Sequence, residues 1–280
     1  MGQAKQKKVT RRAILETEER CIYCAAAPST VEHMPPLVLF LKRQRPKGLE
    51  FAACQECNNG TKGADAVAAL FSRISQADQD PFWENGGGVT LRHTVERDAP
   101  GVRDEVFDER KATTRWMRGR TGVLTPKAVI HADGPLVKAY LDVFAAKLGM
   151  ALYREHVGKP LAMEGGVQTI WYMNSGLSEK MALAHLSILP IGGSLKQGTF
   201  TAREQFAYRY NCDEKSIFAA LIGLNSNFHV FLIASSTPEK FMLPLTMRNI
   251  SATMNFLRPG QLVDHLATNT LRPRRLLTPP

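Results

Sequence analysis

The chain has 280 residues, 44% of them hydrophobic, enough to build a core for one large domain or two smaller ones. Lys and Arg number 36 against 26 Asp and Glu, for a sequence pI near 9.5. That balance points to a polyanionic partner, nucleic acid before an anionic membrane surface. No apolar run reaches the roughly 18 residues of a membrane span. The basic start "MGQAKQKKVTRR" has no apolar region after it, so no export signal is expected, and a cytoplasmic setting is.

In chain order, residues 1–19 read as a basic N-terminal arm or short first helix. Residues 20–76 form a compact block with two Cys-x-x-Cys pairs, Cys21/Cys24 and Cys54/Cys57, and 29 residues lie between the pairs. Two such turns can aim four thiolates at one ion, the ligand set of a tetrahedral zinc site. Four sulfur ligands leave no open position, so this zinc is expected to be structural. After the second pair, Val67, Leu70, Phe71 and Ile74 fall at helical spacing, with Asp65 in the first turn where the helix dipole favours an acid.

Residues 77–134 read as a mixed, basic connecting region. "VTLRHTVER" alternates like a strand, and "RKATTRWMRGR" is a cationic run around one tryptophan. Residues 135–280 read as an α+β domain. A long helix starts at Pro135, carries Leu136, Tyr140, Val143, Phe144, Leu148 and Leu152 on its apolar stripe, and ends at Gly158. "VQTIWYMN", "HLSILPIGG" and "QFAYRYN" read as strands, and "SIFAALIGL" and "FHVFLIAS" as a hairpin turning at 225–227. The basic tail "RPRRLLTPP" reads as frayed. No second catalytic pattern appears in this half. It is expected to serve control, self-assembly or docking of a partner protein, with an extended DNA-binding platform as the alternative, and to be dispensable for chemistry. The other histidines show no ligand spacing and read as structural or surface groups.

The stretch "STVEHMPP" lies between the cysteine pairs, and "CNNGTKG" follows at the second. Cys21, Cys24, Glu32-His33, Pro35, Cys54, Cys57, Asn58, Lys62 and Gly63, followed by a helix, together resemble the zinc-bearing branch of the HNH endonucleases, the ββα-metal or His-Me finger nucleases. The resemblance covers residues 18–76. It implies a ββα-metal unit and phosphodiester hydrolysis, on DNA more than RNA, in a prokaryotic setting such as defence against phage. His33 is implied as the general base, which suits an imidazole near neutral pH. Glu32 and Asn58, with Asn59 as the neighbouring alternative, are implied as ligands of a catalytic Mg²⁺ or Mn²⁺. Lys62 is placed to hold a phosphate, and Lys42, Arg43 and Arg45 make the loop before the second pair basic. One position departs from the family: where it carries a middle Asn, this chain has Leu49 or Glu50. The rival reading is a non-catalytic zinc ribbon that binds nucleic acid or regulates.

Overall fold

The computed structural model describes residues 11–74, 81–84, 86–108, 110, 113–118, 122–129, 132–173, 176–197, 199–225, 227–240 and 254–270. The expected frayed tail at 272–280 lies outside the described residues, as does the start of the N-terminal arm; residues 11–17 are helical. The fold is mixed α+β. A short antiparallel hairpin, β1 (Thr30–His33) and β2 (Glu50–Ala53), leads into helices α1 (Gln55–Gly60) and α2 (Lys62–Arg73). Helices α3 (Gly87–Asp98) and α4 (Val102–Val106) follow, then a second hairpin of β3 (Thr113–Arg118) and β4 (Leu124–Val129).

The long helix α5 (Pro135–Val157) runs through the centre. Proline opens it at a position that needs no N–H donor. Gly158, at φ 83°, closes it in the left-handed conformation, its N–H donating to the Arg154 carbonyl at 3.0 Å. The sequence shows one apolar stripe, yet α5 is buried nearly all round, from Ala139 to Tyr153. It lies against α2 on one side and the main sheet on another. A Cβ at Gly149 would meet the Val167 side chain at 2.4 Å, so helix and sheet touch closely there.

That sheet is antiparallel with six strands: β5 (Gly166–Met173), β6 (Ile191–Ser194), β9 (Phe206–Cys212), β10 (Ile217–Leu224), β11 (Phe228–Ser235) and β12 (Met254–Leu257). They lie in the order β12-β5-β11-β10-β9-β6. The two-residue strands β7 (Lys196–Gln197) and β8 (Phe200–Thr201) form a separate small pair, and α7 (Leu262–Thr270) closes the described chain. The expected β10–β11 hairpin is present. Its turn also has a task that the sequence hid. Asn227 Nδ2 donates to the Phe71 carbonyl at 2.6 Å, and Asn225 Nδ2 to Ser72 Oγ at 3.0 Å, so the turn caps the end of α2.

Three sequence expectations change. "VTLRHTVER" is helical, within α3: Gly88, Leu91 and Val95 are buried at helical spacing, and a Cβ at Gly88 would meet the Trp83 ring at 2.0 Å. Most of "HLSILPIGG" is not strand, because α6 (Glu179–Ser187) runs through His185, capped by Ser178 Oγ accepting from Met181 N at 3.3 Å. Residue 135 is also not a boundary of the core. One buried apolar cluster runs from Cys21 through α2 and α5 to Leu266, so the N-terminal block and the C-terminal half share an interior. Among the described residues no helix is long and apolar enough to cross a membrane.

Candidate functional site

The four cysteines of the two pairs come together, with all four sulfur atoms within 4.8 Å of one another. Cys24 Sγ and Cys54 Sγ are 3.6 Å apart. Zinc–sulfur bonds of about 2.3 Å in a tetrahedron separate sulfurs by about 3.8 Å, so the cluster fits a structural metal such as zinc. Backbone N–H groups already point at the sulfurs: Tyr23 at Cys21, Ala26 at Cys24 and Cys57 at Cys54, at 3.3–3.4 Å. Such donors stabilise thiolates. Without a cation the thiols cannot all ionise. A hydrogen bond from Cys57 draws the Cys21 thiol down to about 5, the same bond pushes Cys57 up, and burial pushes Cys24 up to about 11. Arg20 fastens the first turn to the C-terminal half. It donates to the Cys21 and Cys24 carbonyls and, at 2.6 Å, to that of Leu161.

Glu32 and His33 end β1. Their side chains leave opposite faces of the strand, yet both border one cavity of about 910 Å³ that wraps the strand end. Glu32 is only 3% exposed. Its Oε1 lies 3.3 Å from Nζ of Lys147, a fully buried lysine on α5. The same ammonium donates to both oxygens of Asp65, at 2.8 and 2.9 Å. Two carboxylates around one ammonium leave one negative charge uncompensated. Burial pushes the Glu32 carboxyl up to about 7, with Lys147 pulling the other way and Asp65 adding to the rise. Burial pushes Asp65 up too. Against the burial that would lower it, Asp65 and Glu32 hold the Lys147 ammonium above its ordinary value. Glu32 Oε2 is buried with no hydrogen-bond partner among the described residues, as is His33 Nδ1. Burial and then the nearby Arg45 lower the His33 pKa, which favours the neutral imidazole.

The other residues singled out from sequence divide into two groups. Asn58, Lys62, Lys42 and Arg43 border the same cavity as Glu32 and His33. Asn58 Nδ2 donates to Thr30 Oγ1 at 3.0 Å, which ties α1 to β1 and leaves its Oδ1 without a donor among the described residues. Lys62 Nζ pairs with Asp98 of α3 at 3.0 Å while its side chain stays 56% exposed. Gly63 permits that approach, since a Cβ there would meet the Asp98 carbonyl oxygen at 2.2 Å. Lys42 and Arg43 are exposed, and both adopt positive φ, 53° and 57°. Asn59 and Arg45 are not brought to the cavity. Asn59 is exposed and lies outside the lining. Arg45 is a correction: its side chain is 2% exposed. Its guanidinium donates to the carbonyls of Met34, Pro35, Pro46, Gly48 and Leu49. It organises the loop and has no face left for a phosphate. At the position of the family's middle Asn, Leu49 is buried at φ 50°, with its carbonyl accepting from Met34 N at 3.1 Å.

Sequence reasoning missed Lys147 altogether and gave Asp65 only a helix-dipole role. A signal for Lys147 existed: it lies three residues after Phe144 and four after Val143, on the apolar stripe of α5, where a solvated lysine has no place. Asp98 and Arg97 also border the cavity and carried no motif. No protein-family model matches this chain, and no curated protein and no solved structure matches it either.

Proposed function

We propose that this protein is a metal-dependent endonuclease of the HNH type, which hydrolyses phosphodiester bonds in nucleic acid, DNA in preference to RNA. The observation that carries the reading is the meeting of Glu32, His33 and Asn58 at one cavity, on a β-hairpin and helix that flank a four-cysteine cluster. The donor set fits a hard divalent cation: among the described residues Glu32 has a buried Oε2 with no hydrogen-bond partner and shares one ammonium with Asp65, and Asn58 has an open Oδ1. Glu32 and Asn58 would hold one Mg²⁺ or Mn²⁺, which would supply charge at the phosphate and the leaving oxygen. His33, whose neutral form burial favours, takes the proton from the attacking water. Lys42 and Arg43, exposed at the rim, attract the phosphate backbone. Asp98 tethers Lys62 at the start of α2, where free N–H groups also favour an anion. Lys147 and Asp65 fix the Glu32 carboxylate from behind. A role in prokaryotic defence against phage rests on the family resemblance.

The test is nicking of supercoiled plasmid with Mg²⁺ or Mn²⁺. His33→Ala is expected to lower the rate by about a hundredfold or more, with zinc content and DNA binding kept. Nicking by this variant at the wild-type rate overturns the reading. Glu32→Gln and Asn58→Ala are expected to raise the divalent ion concentration needed. One observation favours the rival, a non-catalytic zinc ribbon: Glu32 is buried and already paired to Lys147. Under that reading no divalent ion produces nicking and DNA binding persists.

A further inference from the structure

The second hairpin contributes no described side chain to the buried core. β3 and β4 pair over six residues, from Thr113 opposite Val129 to Arg118 opposite Leu124. Every side chain described on it is exposed: Thr113 to Trp116 on β3, and Leu124 to Pro126 on β4. Trp116 is 68% exposed and Leu124 53%. The described side chains of this ribbon gain nothing from a core. Exposed tryptophan is therefore unusual here, and marks a contact surface.

The charge pattern selects the kind of contact. Residues 111–129 contain Lys111, Arg115, Arg118, Arg120 and Lys127, and no acid. Arg115 stands directly opposite Lys127 in the pairing, and like charges in that position repel. Arg115 has no acidic partner among the described residues, whereas the nearby Arg110 is matched by Asp108 at 2.9 and 3.0 Å. A second copy of this ribbon would bring cation against cation. A polyanion removes the repulsion.

We propose that the β3–β4 ribbon is a DNA-docking arm that lies along a groove of duplex DNA. Two strands about 4.8 Å apart fit a major groove about 12 Å wide. Six residues at about 3.4 Å each give a ribbon of about 20 Å, close to six base pairs at about 3.4 Å apiece. The cations of residues 111–129, Arg115 among them, neutralise phosphates, and Trp116, whose side chain leaves the opposite face of the strand from Arg115, packs on the groove edge. The site is separate from the cavity at Glu32 and His33. It deepens the nuclease reading by naming duplex DNA as the partner, but its test does not depend on cleavage.

The experiment measures binding of the full chain to a fluorescent 25-base-pair duplex by anisotropy, without Mg²⁺ or Mn²⁺, over a range of salt. For Arg115→Glu/Lys127→Glu, affinity is expected to fall at least about tenfold. The slope of log affinity against log salt is expected to become shallower by about 2, because two phosphates are no longer neutralised and keep their counterions. Trp116→Phe is expected to abolish a DNA-induced change in tryptophan emission. Zinc content and melting temperature should match wild type, because Arg115 and Trp116 stand in solvent. Unchanged affinity and slope overturn the proposal. So does equal loss of affinity for a single strand of the same length, or altered self-association in sedimentation with duplex affinity kept. Nicking separates the two readings. Unchanged binding by the ribbon variant, with nicking lost in His33→Ala, sinks the arm and keeps the nuclease. Ribbon-dependent binding by a wild-type protein that never nicks does the reverse.

Discussion

Two polar centres brace the β1–β2 hairpin, and they are built on opposite principles. The four thiols lie at one end, all from residues 21–57, within 4.8 Å of one another. Glu32, Asp65 and Lys147 lie at the other, and the cation comes from α5, 82 residues beyond Asp65 in the chain. The first centre fits an ion taken from solution and is local. The second carries its own ion and is the product of long-range packing. A local metal centre can be evolved or lost as a unit. An internal lysine ties the hairpin to α5, in the C-terminal half.

The largest effect should come from the metal. Removing it with a chelator, or replacing Cys57 by Ser, is expected to unfold the N-terminal block, since metal binding supplies much of the folding energy of such units. Circular dichroism and metal analysis check this; a metal-free protein that melts like the parent breaks the first half of the comparison. Because the core is shared, the loss should also lower the melting temperature of the six-stranded sheet.

Lys147 tests the second half. Lys147→Met leaves two buried carboxylates without their cation and is expected to cost about 3–5 kcal/mol. Adding Asp65→Asn should recover part of that, because one of the two stranded charges is gone. Urea denaturation measures both, and a neutral Lys147→Met would show the cluster to be a bystander. A fragment ending before Pro135 is expected to be insoluble or unfolded, against the expectation that the second half is dispensable. A soluble, nicking fragment would restore that expectation.

The smallest effects separate two cations of one loop. Arg45→Ala is expected to cost about 2–3 kcal/mol, the scale for losing hydrogen bonds to a charged group, with the salt dependence of DNA binding unchanged. Lys42→Ala should leave stability alone and make the log–log salt slope shallower by about 0.9, the value for one phosphate. Anisotropy and thermal melting report the two quantities, and the reverse pattern would exchange the roles assigned to these residues.

Sequence alone determined what depends on spacing over a few residues. Cys-x-x-Cys twice implies four sulfurs on two turns, and they are found together. The periodicity of residues 135–157 and the turn at Gly158 placed α5, and two apolar runs around 225–227 placed β10 and β11. Tertiary structure decided what depends on neighbours far along the chain. "VTLRHTVER" fits two periods on paper; packing of Leu91 and Val95 against the core selected helix. Arg45 and Lys42 look alike in "LKRQRPKG", and only the closure of the loop buried one guanidinium against five carbonyls while leaving the other cation in solvent. Glu32 reads as a free acid beside a histidine until α5 arrives with Lys147. The reason is the same in each case: local geometry follows from the nearest few residues, whereas the burial of a charge is set by whatever the rest of the chain brings against it.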